Sequence, residues 1–288
     1  GPRGRVMAED IRAIAEARQL PVSAPPVAFA PESGPLAISR RSGGDGVPLV
    51  MLHGFASDAL SFSPLADGLR QHPVIRIDLP CHGKSPHLPV ASFADLVAQV
   101  RRAVDGLGLP AMHLVGHSLG GAVALALADT RPRQLSALTL IAPAGLGPEI
   151  NGPVLSGICR ATRAESLAPW LRSLVADEGL ITDSYARLAM AARADPNMRA
   201  GQSALAEVLF PDGVQAFDLR AALARVAAPT QIIWGKQDAI LPWSHALRAP
   251  GEVALHLFDQ TGHMPQSERA EAVAKLSARA PTSTGRTA

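Results

Sequence analysis

Leu114-Val115-Gly116-His117-Ser118-Leu119-Gly120-Gly121-Ala122 decides how the rest of this 288-residue chain is read. The run Met112–Val115 is apolar and strand-like, and Ala122–Asp129 is built from strong helix formers. Between them stands Ser118, with Gly116 and Gly120 two residues away on either side, the Gly-x-Ser-x-Gly nucleophile elbow. A strand-to-helix turn this tight leaves no room for side chains at the two glycines. It holds the serine in a strained conformation, with its hydroxyl raised at the C-terminal edge of a sheet.

A serine hydroxyl is a poor nucleophile until a base takes its proton, so the elbow predicts a carboxylate and a histidine further along, in the order Ser…Asp…His. Asp238 lies four residues past Trp234, in the loop after the expected strand Thr230–Trp234. His263, in Thr261-Gly262-His263-Met264-Pro265, lies in the loop after the expected strand Val253–Phe258. Ser118 is therefore the expected nucleophile, His263 the general base and then acid, and Asp238 the group that orients the imidazole. Glu149 and Asp259 are rival carboxylates, but neither follows a late strand at the right spacing. Acyl transfer also needs N–H donors for a tetrahedral oxyanion. Leu119, at a helix start, and Phe55, after His53-Gly54, are the expected backbone donors. Of the other histidines, His53 and His82 are expected to line or brace the site. His113 and His117 sit on a strand end and a glycine turn and so make no metal pair. His72, His87, His245 and His256 read as surface or packing residues.

Composition narrows the class. With 47% hydrophobic residues the chain suits one large domain, burying roughly three-quarters of its unfolded surface. A net charge of +2, one Tyr, three Trp and no dense basic tract argue against nucleic acid as a partner. No uncharged apolar run reaches the length of a membrane span. The two cysteines, Cys81 and Cys159, make neither a disulfide framework nor a metal site. The first residues lack the order of a secretory signal, so a cytoplasmic location is the expectation.

Along the chain, a short amphipathic helix is expected within residues 1–20, with Met7, Ile11, Ile14 and Ala15 as its apolar stripe. Residues 21–35 hold five prolines and read as an extended linker, so deleting residues 1–33 is expected to leave stability and turnover nearly unchanged. From Leu36 to about residue 280, short β-type runs alternate with helices, the pattern of an α/β domain with a mostly parallel sheet covered on both faces. Residues 144–218 interrupt that alternation. Two Pro/Gly-rich pieces over Ala144–Pro153 precede helical segments near Glu165–Ala176, Asp183–Ala194 and Gln202–Leu209, which reads as an inserted helical cap. Leu167, Trp170, Leu171, Leu174 and Val175 form an apolar run there, suited to packing within the cap or to a dry lid. The last helix is expected at Gln266–Ala278, and residues 281–288 read as a polar, disordered tail.

The set His53-Gly54-Phe55, Asp78-Leu79-Pro80-Cys81-His82-Gly83-Lys84-Ser85, Gly116-His117-Ser118-Leu119-Gly120-Gly121, Trp234-Gly235-Lys236-Gln237-Asp238 and Gly262-His263 resembles the α/β-hydrolase superfamily over residues 36–280. One departure is Cys81, where that family usually carries glycine. Ala144-Gly145-Leu146-Gly147-Pro148-Glu149-Ile150-Asn151-Gly152 and Phe217-Asp218-Leu219-Arg220, at the two ends of the cap, resemble the dihydrolipoyllysine-residue acetyltransferase subunits of acetoin dehydrogenase complexes. Gly1-Pro2-Arg3-Gly4-Arg5-Val6 with Glu9-Asp10-Ile11 is similar to the end of the peripheral-subunit-binding region of such acyltransferases.

The resemblance implies acetyl transfer from a dihydrolipoyl thioester to coenzyme A by way of Ser118. The lipoyl group and coenzyme A would be co-substrates, with no bound cofactor for the triad chemistry and other subunits of a 2-oxo-acid-dehydrogenase-like complex as partners. The His-x-x-x-Asp-Gly motif of the usual acyltransferases of such complexes does not occur: Asp67-Gly68, Asp105-Gly106 and Asp212-Gly213 are preceded at that spacing by Ser63, Arg101 and Val208. Transfer would therefore fall to the serine. Two alternatives stand beside it: a serine hydrolase of a small ester or thioester, and a non-catalytic interaction module.

Overall fold

Successive side chains of a strand point to opposite faces, so a strand apolar at every position must be covered on both. In the computed structural model, which describes residues 27–279, the central strands meet that condition. The strands are β1 (Ile38–Arg41), β2 (Leu49–Leu52), β3 (Val74–Ile77), β4 (Met112–His117), β5 (Leu135–Ile141), β6 (Thr230–Gly235) and β7 (Ala254–Phe258). Their spatial order is β1-β3-β2-β4-β5-β6-β7. β1 runs antiparallel to β3, and every other neighbouring pair is parallel.

The alternation sorts the core into two layers. Val50, Leu52, Leu114 and Leu138 face α2 (Phe93–Asp105) and α3 (Leu119–Thr130), while Leu49, Met51, Val115 and Ile233 face α1 (Ser63–Asp67) and, near the chain end, Val273 and Ala274. β4 lies at the centre with all six residues buried, which places the turn after it in the middle of the sheet's C-terminal edge. Ser92 caps α2 by accepting the Asp95 N–H at 3.1 Å.

Between β5 and β6 the cap contributes α4 (Gly152–Arg160), α5 (Ala164–Arg172), α6 (Asp183–Ala192) and α7 (Pro196–Leu209), and α8 (Arg220–Arg225) leads back to the sheet. α4 is an addition to the sequence expectation. Its Asn151-Gly152-Pro153 start resembles a loop, yet Asn151 caps it and proline is well suited to a first turn, where its missing N–H costs nothing. The two ends of the cap are stapled by buried Gln215. Its Oε1 accepts the Gly145 N–H at 2.7 Å, and its Nε2 donates to the carbonyls of Gly147 and Glu149 at 2.7 and 3.0 Å. The expected final helix is two pieces, α9 (Pro265–Glu268) and α10 (Ala270–Ala278), broken at Arg269 with φ −133° and ψ 38°.

The expected linker needs correction over its described part. Residues 27–35 are extended, but they are docked rather than free. Ala30 exchanges two hydrogen bonds with the Asn197 side chain, at 2.8 and 2.9 Å. Glu32 donates its N–H to the His87 carbonyl and accepts the His87 N–H on its carboxylate. Asn197 belongs to the cap and His87 to the loop after β3, so this strap joins both. Proline content reads the backbone shape and is silent on its partners. Residues 1–20 and 281–288, with their expected helix and tail, lie outside the described residues.

Candidate active site

The elbow is as tight as its glycines require. A Cβ on Gly116 would lie 2.4 Å from the Gly120 carbonyl oxygen, and one on Gly120 would lie 2.1 Å from that of Leu52. Ser118 has φ 53° and ψ −118°, a region that costs a non-glycine residue about 1–3 kcal/mol. The turn is held by the Ser118 N–H donating to the Ile141 carbonyl at 2.9 Å and by the Ser118 carbonyl accepting the Ala144 N–H at 3.1 Å.

Three parallel strands deliver the expected trio to one place. Ser118 Oγ lies 2.9 Å from His263 Nε2, and His263 Nδ1 lies 2.7 Å from Asp238 Oδ2. The Asp238 carboxylate is fully buried and fully used. Its Oδ1 accepts the Ile240 and Leu241 N–H groups at 2.7 and 2.9 Å, and its Oδ2 also accepts the Trp234 indole N–H at 2.8 Å. Burial pushes its pKa up, but the adjacent His263 and the donated backbone hydrogen bonds outweigh that and hold it below the ordinary aspartate range. The rival carboxylates are elsewhere: Glu149 pairs with His245 at 2.7 Å at the base of the cap, and Asp259 pairs with Lys236 at 3.0 Å.

The His263 loop is framed by residues the sequence did not single out. The Glu268 carboxylate accepts the N–H groups of Gly262, Met264 and Ala176, and the Leu174 carbonyl accepts the His263 N–H at 2.9 Å. His117 donates from Nε2 to the His263 carbonyl at 2.7 Å. No motif flags Glu268, because its partners are backbone N–H groups, two of them local and the third, Ala176, brought in from the cap by the fold. The apolar run of the cap divides accordingly. Leu167 and Leu171 are buried in the cap, Trp170 lies over Gly157, and Leu174–Val175 press on the histidine loop.

The expected oxyanion donors, the N–H groups of Phe55 and Leu119, belong to backbone segments that adjoin Ser118. A Cβ on the intervening Gly54 would lie 3.1 Å from Ser118 Cβ, and the Leu119 N–H belongs to the first turn of α3, where helical N–H groups lack internal partners. Two buried neutral histidines fix the Phe55 loop. His53 donates Nδ1–H to the Gly54 carbonyl at 2.8 Å and accepts the Leu79 N–H on Nε2 at 3.0 Å. His82 donates Nδ1–H to the Pro80 carbonyl and accepts the Ala56 N–H on Nε2, both at 2.8 Å. Burial lowers the pKa of both. They brace the site, as one of the two sequence readings had it. Of the remaining histidines, His113 meets Thr139 Oγ1 at 2.8 Å, His72 the Val47 carbonyl at 3.0 Å, and His256 lies half-buried on β7. Among the described residues no cluster of three His, Cys, Asp or Glu is placed to hold a metal, and no helix is long and apolar enough to cross a membrane.

Cys81 takes a left-handed φ of 63°, a region that favours glycine, as expected for a position where the resemblance implied one. Its thiol points at the Leu88 carbonyl, 3.3 Å away, beside a cavity of about 170 Å³ shared with Phe29, Leu88 and Leu205. Burial pushes the thiol up to about 12, so it stays protonated at neutral pH.

A seven-stranded sheet with a serine turn at its centre, and a histidine and aspartate after its last two strands, defines a class. A sequence profile of the α/β hydrolase fold matches residues 47–270, and the chain belongs to that family. More particularly, it is 36% identical over 239 residues to the dihydrolipoyllysine-residue acetyltransferase component of the acetoin cleaving system of Pseudomonas putida. It is 33% identical over 235 residues to the component of the same name from Cupriavidus necator. Both alignments cover 80% of this chain and 62% of the relative, so the chain spans about three-fifths of their length. It is also 31% identical to a 2-hydroxy-6-oxononadienedioate/2-hydroxy-6-oxononatrienedioate hydrolase from Cupriavidus pinatubonensis, over 79% of this chain and 84% of that one. A meta-cleavage product hydrolase from Pseudomonas fluorescens shares the fold, with a TM-score of 0.74 at 23% identity over 84% of this chain and 92% of that chain.

Proposed function

We propose that the chain transfers an acetyl group from a dihydrolipoyl thioester to coenzyme A through an acetyl-Ser118 intermediate, as part of an acetoin-cleaving complex. The observation that carries the chemistry is the unbroken line from Ser118 Oγ through His263 to Asp238, at 2.9 and 2.7 Å. The two acetyltransferase components at 33% and 36% identity support the choice of acyl group and acceptor.

In the first half-reaction Ser118 Oγ attacks the thioester carbonyl carbon while its proton passes to His263 Nε2. The oxyanion accepts the N–H groups of Phe55 and Leu119, each such donor being worth about 2.7–4 kcal/mol in the transition state. The C–S bond then breaks, and His263 returns the proton to the departing sulfur. In the second half-reaction His263 takes the proton of the coenzyme A thiol, the sulfur attacks the acetyl carbonyl, and Ser118 leaves with that proton. Asp238 keeps the imidazole in the required tautomer throughout. The lipoyl group and coenzyme A are substrates in this scheme, and the remaining subunits of the complex are the partners.

The 31% identity to a hydrolase favours a second reading, in which water discharges the same intermediate. Single-turnover discharge of acetyl-enzyme separates the two. Faster release with coenzyme A or dihydrolipoamide than with water alone is expected; equal rates would leave a hydrolase.

A further inference from the structure

Arg193, between α6 and α7, is 95% buried, being 5% exposed, and its recorded partners are all neutral oxygens. Nη1 donates to Gln202 Oε1 at 2.6 Å and to the Ala56 carbonyl at 3.4 Å, and Nη2 donates to the Ile158 carbonyl at 3.1 Å. Nε is buried with no partner among the described residues. A buried cation without a carboxylate is costly and uncommon unless its charge is used.

Its position suggests the use. Ala56 follows Phe55, the first oxyanion donor of the mechanism proposed above, and Ala56 itself holds a left-handed φ of 56°. The Ala56 N–H is fixed by His82, and Gln202 donates from Nε2 to the Cys81 carbonyl at 3.0 Å. Arg193, Ala56, His82, Cys81 and Gln202 thus close a ring that passes from the cap to the oxyanion loop and back. The backbone N–H and C=O of Ala56, in the two peptide groups on either side of its Cα, are thus both held within it, the first by an imidazole of the core and the second by a guanidinium of the cap. Arg199 Nη1 donates to the Arg193 carbonyl at 2.6 Å, and among the described residues no carboxylate hydrogen-bonds or pairs with the guanidinium.

We infer that Arg193 is a positioning residue for catalysis: by holding the Ala56 carbonyl it sets the Phe55 N–H toward the acyl oxygen, and its uncompensated charge favours the oxyanion over the neutral carbonyl. The inference rests on the serine chemistry proposed above. It also makes the oxyanion site dependent on a seated cap, since the guanidinium belongs to the cap and the donor to the core.

The test compares Arg193→Met and Arg193→Lys with the unaltered chain, using p-nitrophenyl acetate and ethylboronic acid, which bonds to a serine oxygen as a tetrahedral anion. Arg193→Met is expected to lower kcat by about 10–100-fold, less than deletion of a direct oxyanion donor at its upper limit. KM is expected to stay within about twofold, and the boronate inhibition constant to rise in parallel with the loss of kcat. Arg193→Lys, which keeps the charge, is expected to recover most of both. A loss confined to KM, an unchanged boronate constant, or a lysine variant no better than methionine would overturn the inference. If Arg193→Met does not fold, Gln202→Glu sets a carboxylate against the guanidinium and cancels its charge in place; an unchanged boronate constant there overturns the inference equally. Fluorophosphonate labelling keeps the two readings apart. Failure to label Ser118 in the unaltered chain overturns the serine mechanism, whereas equal labelling rates with and without Arg193 overturn only the role of Arg193.

Discussion

Lowering the pH from 7 to 4.5 should destabilise this protein steeply, and the size of the effect follows from two buried imidazoles. His113 is pushed down to about 4 by burial and by the neighbouring His72, and His117 to about 3 by burial and by His263. In the unfolded chain both return to about 6.5. Below that value the unfolded state binds protons that the folded state refuses, so stability falls as the pH falls, and the loss is complete only below the folded values. Each histidine contributes at most about 1.4 kcal/mol per pH unit, so the pair gives a slope of roughly 2–3 kcal/mol per unit between pH 6 and 4.5. His53 and His82 act in the same direction, and Asp238, held below its ordinary range, extends the loss to still lower pH. Over that range the pair alone removes about 3–4 kcal/mol, close to the lower end of the whole stability of a domain, about 5–15 kcal/mol. Urea unfolding at half-unit pH steps measures it directly. His117→Asn should reduce the slope by about half of the pair's contribution. A stability that changes by less than about 1 kcal/mol between pH 6.5 and 5 would refute the claim that these imidazoles are held neutral.

Ser118→Ala should lower turnover by about 10³-fold or more and abolish fluorophosphonate labelling, with Tm nearly unchanged because the hydroxyl adds little packing; His263→Ala should lose turnover alike. Deleting residues 1–33 should now lower Tm by several degrees, since it removes the four hydrogen bonds that Ala30 and Glu32 make with Asn197 and His87, each worth about 0.5–1.5 kcal/mol; an unchanged Tm in differential scanning calorimetry would show the strap to be dispensable. Cys81 should resist iodoacetamide at pH 8 in the native protein and react on unfolding, as judged by mass spectrometry, because its thiol sits at about 12.

What the chain revealed before folding was whatever is written locally. The elbow carries its own glycines, short β-type runs alternate with helices, and Asp238 and His263 follow late strands at short spacing. Their meeting could be read because parallel strands deliver the residues that follow them to one edge. Gln215 and Gln202 could not be read, since each acts on backbone groups far away in sequence, and Glu268 was missed because its link to Ala176 spans 92 residues and its nearer partners are plain backbone N–H groups. Arg193 was hidden for a related reason: an arginine at the end of an alanine-rich helix looks like a solvated one until its burial is seen. The docking of residues 27–35 depends on Asn197, some 167 residues further along, so no local pattern announces it. α4 was missed because Gly-Pro marks a turn and a helix start equally well.

The way the cap is fastened bears on how such proteins could be re-engineered. Its insertion between β5 and β6, with its ends drawn together by Gln215, invites treatment as an exchangeable module. Yet this module lends the catalytic loop a carbonyl at Leu174 and an N–H at Ala176, and it lends the oxyanion loop a guanidinium at Arg193. A transplanted cap chosen only for its pocket would arrive without those three contacts. It would change which substrates fit and loosen the machinery meant to act on them. Selectivity and rate are therefore inherited together in this architecture, and a successful chimera would have to carry the three contacts across with the pocket.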